Sequence, residues 1–135
     1  KFILTDFDEY LDRCRYKTAE LFIASIVSAA MVANLDTNSA KDFAKRFGIS
    51  FQIRDDLLNL ISAEEDKPKN NDIEEGIYTA PMIFAKDVKN LEFGIEKTKE
   101  LLDNYINRVK NCLNKAPENE YKQALIKLLD LLKIC

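Results

Sequence analysis

The sequence predicts an all-α fold, on three observations. Apolar residues recur at helical spacing along most of the chain of 135 residues. Glycine and proline number three each, which is sparse punctuation for a sheet protein and ample for a helical one. No run alternates polar and apolar residues as a strand would, and no internal repeat or low-complexity tract interrupts the pattern.

Taken in order, Thr5 or Asp6 can cap a first helix beginning near Asp8, with Glu9 favourably placed against the helix dipole in its first turn. From Tyr10 the apolar period runs through Cys14, Ala19, Leu21, Phe22, Ile26, Ala29, Ala30 and Ala33, as one long helix or two end to end. The run from Leu21 to Leu35 is interrupted by Ser25, Ser28 and Asn34 and is shorter than the roughly 20 residues of a membrane span, so it is expected as a buried core helix. Asn34 to Ser39 forms a polar turn. Asn38 or Ser39 then caps a helix from about Ala40 to Ile61 or slightly beyond.

Residues 63–79 change character, with Pro68, Gly76, several acids, two lysines and no apolar period, and read as a polar surface loop. Pro81 suits the first turn of a short helix through Met82, Ile83, Phe84 and Val88. Leu91 to Leu113 returns to helical spacing through Ile95, Leu102, Ile106 and Val109, with Gly94 a weak point near its start. Ala116-Pro117-Glu118-Asn119 breaks the chain. A last helix from about Glu120 to Ile134 carries Ala124, Leu125, Leu128, Leu129, Leu131 and Leu132. All of this fits one helical domain spanning 1–135.

Hydrophobic residues make up 47% and charged residues 32%, the balance of a globular protein rather than a disordered one. A net charge of -3 gives no electrostatic reason for a nucleic-acid partner. The absence of histidine removes Ser-His and Cys-His nucleophile pairs and histidine metal ligands, so any metal must rest on oxygen. Cys14, Cys112 and Cys135 are odd in number and scattered, which argues against a disulfide framework or zinc site and for a reducing, cytoplasmic setting. No signal-peptide pattern opens the chain, and because Lys1 rather than Met stands first, a piece of a longer protein is expected.

One stretch concentrates the polar chemistry: Phe47 to Ile61. Wound at about 100° per residue, it places Gly48, Gln52, Asp55, Asp56 and Asn59 within one arc of roughly 100°. Apolar residues occupy the rest, with Arg54 the exception. Such a stripe is ordinarily a solvated face. Solvated faces mix lysine with acid, however, whereas here two adjacent aspartates share the arc with amides and a glycine, and no lysine relieves their repulsion. Short carboxylates on a rigid helix suit a hard cation such as Mg²⁺, which takes one or two protein carboxylates and leaves other positions to water or phosphate. Lys17, where the second apolar stretch begins, is on local grounds an ordinary surface lysine.

An ordered set of segments then accumulates: Lys17-Thr18-Ala19-Glu20-Leu21-Phe22, Phe51-Gln52-Ile53-Arg54-Asp55-Asp56-Leu57-Leu58-Asn59, Lys67-Pro68 with Asp72, Glu75-Gly76 and Thr79-Ala80-Pro81. This resembles the C-terminal half of the trans-isoprenyl diphosphate synthases, the polyprenyl synthetase family. The resemblance implies a partial helical bundle of the isoprenoid synthase type, with about five or six helices here around a central cavity. It implies Mg²⁺-dependent condensation of an allylic diphosphate with isopentenyl diphosphate, with residues 63–79 as an active-site loop. In that family Lys17, Thr18, Gln52 and Lys67 match positions that approach the diphosphate. Lys17, Thr18 and Asp55 match catalytic positions, and Asp55, Asp56 and Asn59 the aspartate-rich motif that holds Mg²⁺.

Four residues depart from the family pattern: Asn59 stands where a third aspartate is usual, Asp66 and Asn71 replace glycines of the loop, and Ile77 replaces a lysine. The half carrying the first aspartate-rich motif and the isopentenyl diphosphate site lies outside the sequence. The expected partners are therefore the two diphosphates and either a homodimer mate or a chain supplying the N-terminal half. The alternatives are a catalytically degenerate helical subunit that binds or regulates an active prenyltransferase, and a helical interaction module whose acidic stripe binds nothing.

Overall fold

The computed structural model describes residues 6–65, 79–86 and 90–134, with side chains for all of these except 62–65. Among them there are helices and no strand. Helix α1 is Phe7–Cys14, a π-helical turn follows at Arg15–Ala19, and α2 is Glu20–Val32. Helix α3 spans Thr37–Glu65, α4 Ala80–Ala85, α5 Leu91–Asn114 and α6 Glu120–Leu131.

Local chemistry accounts for the boundaries. Asp6 caps α1 by accepting from the Glu9 backbone N–H at 2.8 Å. The cap of α3 is Asp36, not Asn38 or Ser39: its carboxylate accepts from the Asn38 backbone N–H at 3.1 Å and from the Ser39 hydroxyl at 2.6 Å. A carboxylate suits the positive end of the helix dipole and can accept two bonds at once, so the helix starts at Thr37 rather than Ala40. Pro81 sits in the first turn of α4, where its missing N–H costs nothing. Lys86, at φ 61°, ends that helix in the left-handed conformation and donates its N–H to Met82 O at 3.0 Å. Val88 lies outside the described residues.

Asn119 caps α6 by accepting from the Lys122 N–H at 2.9 Å. The buried Lys122 ammonium secures the break before it, donating to Ala116 O at 3.0 Å and pairing with Glu118 at 2.8 Å. Helix α6 stops at Leu131 instead of Ile134, because Leu132 and Lys133 donate back three residues, to Leu129 O and Asp130 O, tightening the last turn.

The main core gathers Tyr10 and Cys14 of α1, Phe47, Ile49 and Ile53 of α3, Leu102, Ile106, Val109 and Leu113 of α5, and Leu129 of α6. A smaller cluster of Leu57, Leu60 and Ile95 extends it along α3. Each fully buried side chain of this size stabilises the fold by about 1.5–3 kcal/mol. Two glycines set how closely helices approach. A Cβ on Gly48 would come 2.5 Å from Ala19 Cα, so α3 lies directly on the π turn. A Cβ on Gly94 would come 1.9 Å from Pro81 O, so the expected weak point is what lets α5 rest against α4.

The expectation that Leu21 to Leu35 is a buried core helix is corrected. Leu21 is 73% exposed, Met31 65%, Val32 90% and Leu35 67%. Within α2 only Ala30 is buried. The helix rests one face on α3, and no other described element covers the remainder.

Candidate functional site

The π turn interrupts the helical path just where Lys17 and Thr18 stand. A π turn widens the helix by a residue and re-aims the side chains beyond it, a device common at functional sites. Here Ala19 is fully buried against Gly48, Thr18 is half-buried and Lys17 is exposed.

From Thr18 a hydrogen-bonded path crosses to α3. The Thr18 hydroxyl donates to Gln52 Oε1. Gln52 Nε2 donates to Asp56 Oδ1 at 2.8 Å, one turn further along α3. Asp56 Oδ2 accepts from the Tyr10 hydroxyl of α1 at 2.7 Å. Gln52 is 4% exposed and Asp56 8%, so the path is buried. A carboxylate out of water is costly unless its oxygens are satisfied, and both oxygens of Asp56 are.

The electrostatics follow from burial. Burial raises the Asp56 pKa, opposed by the hydrogen bonds from Tyr10 and Gln52 and by the Lys17 charge. Burial, and then the neighbouring Asp56 charge, push the Tyr10 phenol well above its ordinary range. Burial also moves the adjacent Cys14 thiol up to about 11, so at neutral pH it is a thiol rather than a nucleophilic thiolate.

These groups line a cavity of about 470 Å³ formed by Tyr10, Arg13, Cys14, Tyr16, Lys17, Gln52, Asp56 and Thr79. Lys17 and Arg13 bring positive charge to it, Tyr10 brings a hydroxyl whose hydrogen is committed to Asp56, and Gln52 brings an amide with a second N–H beyond the one given to Asp56. A larger cavity, about 970 Å³, lies between the other ends of α2, α3 and α5 and the start of α6; its walls are mostly apolar and include none of the motif residues.

The structure thus brings Lys17, Gln52 and Asp56 into one cavity and joins Thr18 to them through Gln52. It splits the polar arc expected on α3: Gly48 packs on Ala19, Gln52 and Asp56 turn inward, and Asp55 and Asn59 stay exposed. Lys67 and nearly all of the 63–79 loop lie outside the described residues. Arg54, the misfit of the stripe, is half-buried, and its buried Nε has no hydrogen-bond partner among the described residues. Sequence reasoning assigned no site role to Tyr10, Arg13, Cys14, Tyr16 or Thr79. Tyr10 and Cys14 stand at i and i+4 on one face of α1, whereas Lys17 lies in the π turn, where that period no longer holds. Thr79 belongs to the motif set, but its residue type alone gave it no role.

For a divalent cation the donor chemistry is specific. Among the described residues no cluster of three or more His, Cys, Asp or Glu side chains could hold a metal. Asp56 already accepts from two protein donors, whereas Asp55, exposed, is open to a cation, with exposed Asn59 one turn away. One free carboxylate and one amide oxygen fit a share of a Mg²⁺ site completed by water and phosphate, not a whole protein cage.

Similarity to known proteins bears on the fold and the family. A prenyl transferase of Cyanophora paradoxa is 32% identical over 147 residues, covering 87% of this chain and 46% of that protein. The crystal structure of a decaprenyl diphosphate synthase from Rhodobacter capsulatus superposes with a TM-score of 0.79 at 25% identity, covering 95% of this chain and 50% of that one. That of a polyprenyl synthase from Caulobacter crescentus, complexed with calcium and isoprenyl diphosphate, gives 0.77 at 25% identity, covering 94% and 49%. The fold is therefore the all-α fold of the isoprenoid synthases. The polyprenyl synthetase family model matches residues 2–123, and the chain belongs to that family. It spans about half the length of these relatives.

Proposed function

We propose that this chain forms one wall of the active site of a prenyltransferase that condenses an allylic diphosphate with isopentenyl diphosphate. The observation that carries the reading is the convergence of Lys17, Thr18, Gln52 and Asp56 from two separate stretches of sequence, in a chain of the polyprenyl synthetase family. Lys17, joined by Arg13 at the cavity, attracts the diphosphate, and Lys67, which matches a family position that approaches the diphosphate, would add a further charge. Positive charge held in place around the leaving diphosphate stabilises the charge that develops as its bond to the allylic carbon breaks. The resulting cation needs a pocket that excludes water, which the complete active site would have to supply. Asp55, with Asn59, would hold Mg²⁺, which supplies further charge neutralisation at the leaving group when bound. The hard cation bound with isoprenyl diphosphate in the Caulobacter neighbour supports oxygen ligation of this kind.

The other wall must come from elsewhere. The uncharged outer face of α2 is the surface we assign to it, covered by the remaining half of a full-length chain or by a partner chain, whether a homodimer mate or a chain supplying that half. The free thiols of Cys14 and Cys112 suit a reducing, cytoplasmic setting. Among the described residues no helix is long and apolar enough to cross a membrane.

Full-length encoded protein should consume isopentenyl diphosphate when given an allylic primer and Mg²⁺, and Asp55→Ala should lower turnover by about a hundredfold or more. No turnover with any primer would sink the reading. Asn59, standing where the family has a third aspartate, favours a second reading: a degenerate subunit regulating an active synthase. Co-purification of a catalytically complete partner from the native source, with no turnover by this protein alone, would select it.

A further inference from the structure

We infer that Tyr10 is a positioning residue for the diphosphate wall, acting through Asp56 and Gln52 on Thr18; the inference rests on the reading under Proposed function. Two adjacent carboxylates of α3 meet different fates. Asp55 is exposed, whereas Asp56 is buried with Oδ2 on the Tyr10 hydroxyl at 2.7 Å and Oδ1 on Gln52 Nε2 at 2.8 Å. A carboxylate held from both sides by protein donors serves as an anchor.

What it anchors is the orientation of an amide. Gln52 has one donor end and one acceptor end. Because Asp56 accepts from the donor end, the acceptor end faces the π turn, where it receives the Thr18 hydroxyl hydrogen. Tyr10 closes the path from α1, and through Thr18 the path ends beside Lys17. Three elements, α1, the π turn and α3, are thereby held in register at the cavity. Without the Tyr10 hydroxyl, Asp56 keeps only one donor and can turn. Gln52 then loses its reason to point Oε1 at Thr18. Asp56 on this account orients neighbours and does not ligate the cation.

The test uses the full encoded protein and calorimetric titration with inorganic diphosphate in the presence of Mg²⁺. Tyr10→Phe, which keeps the ring and deletes the hydroxyl, should weaken diphosphate binding by about tenfold. In a Thr18→Val background the same change should have little further effect, because the end of the path is already cut; two independent residues would give additive losses. Should Tyr10→Phe fail to fold by circular dichroism, Asp56→Asn poses the question from the other side. The amide keeps an acceptor for Gln52 and an atom facing Tyr10, so affinity should stay within about threefold of the parent. Equal affinity in Tyr10→Phe and the parent, additive losses with Thr18→Val, or a fall of about tenfold or more in Asp56→Asn would each overturn the positioning role while leaving the diphosphate site intact. No diphosphate binding by the parent overturns the site itself, and this role with it.

Discussion

Leu21 to Leu35 carries no charged side chain, yet Leu21, Met31, Val32 and Leu35 face outward, whereas Gln52 and Asp56, both polar, are among the buried residues of α3. Burial in this molecule therefore does not follow polarity stretch by stretch. The polar pair can be buried because the chain supplies every partner it needs, from Tyr10 and Thr18. The apolar face of α2 stays exposed because a helix buries only what neighbouring elements cover, and contiguous exposed apolar surface of this kind marks an interface. The inner site is thus locally complete in its hydrogen bonds, whereas under the proposed function the outer face is the one that another half or a second copy would cover.

Substitutions on the two sides should separate them. The largest effect is expected at Ile53, fully buried on α3 in the main core: Ile53→Ala should cost about 2–5 kcal/mol in urea denaturation, through lost burial and the cavity left behind. A cost below about 1 kcal/mol would mean that α3 is not the buried side of this comparison. Next comes Gly48→Ala. Its new Cβ would meet Ala19 Cα, backbone that cannot rotate away, so a loss of about 1–3 kcal/mol is expected. Because that contact seats the π turn, the Thr18 to Gln52 bond should be disturbed too, visible as a shift of the Gln52 side-chain amide signal in NMR.

On the outer face the expectation reverses. Leu21→Ser should change the stability of this chain alone by no more than about 0.5 kcal/mol, since Leu21 is already in solvent. In the full encoded protein the same change should cost more, and equal small effects in both would argue that nothing covers α2. The smallest effect belongs to an exposed ion pair. Lys110 of α5 donates to Asp130 of α6 and holds its carboxyl below the ordinary 3.8. A carboxylate whose pKa is lowered on folding stabilises the native state above its unfolded pKa and ceases to do so as pH falls through the folded value. Lys110→Met should therefore lower Tm slightly at neutral pH, with the difference shrinking as pH drops below 3.8. A difference that persists unchanged into acid would show that lost packing, not charge, is responsible.

Much of the fold was legible because helical period and punctuation are local properties. Helices α3 and α5, the Pro81 start of α4 and the break before Asn119 all stand within a few residues of where spacing and turn chemistry put them. Three features were not legible for identifiable reasons. Periodicity reports that Leu21 to Leu35 is apolar but not how many neighbours it will find. Asp36, Asn38 and Ser39 are all competent caps, and only the approach of the chain decides among them. The π turn at Arg15–Ala19 breaks the 3.6-residue period on which the reading of the first helices depended.

The site was legible in part. Gln52 and Asp56 stand four residues apart, so helical geometry alone puts them on one face. Their meeting with Lys17 and Thr18 needed the family resemblance, since the two segments are separated by more than the whole of α2. Tyr10 escaped because its role depends on an oxygen of Asp56 reached across the core, which no spacing within one helix reveals.

The most direct measurement is calorimetric titration of the full encoded protein with inorganic diphosphate, with and without Mg²⁺, in the parent and in Lys17→Ala. The account predicts saturable binding that depends on Mg²⁺ and weakens by about tenfold or more when the Lys17 charge is removed. Absence of saturable binding, or binding indifferent to both Mg²⁺ and Lys17, would contradict it.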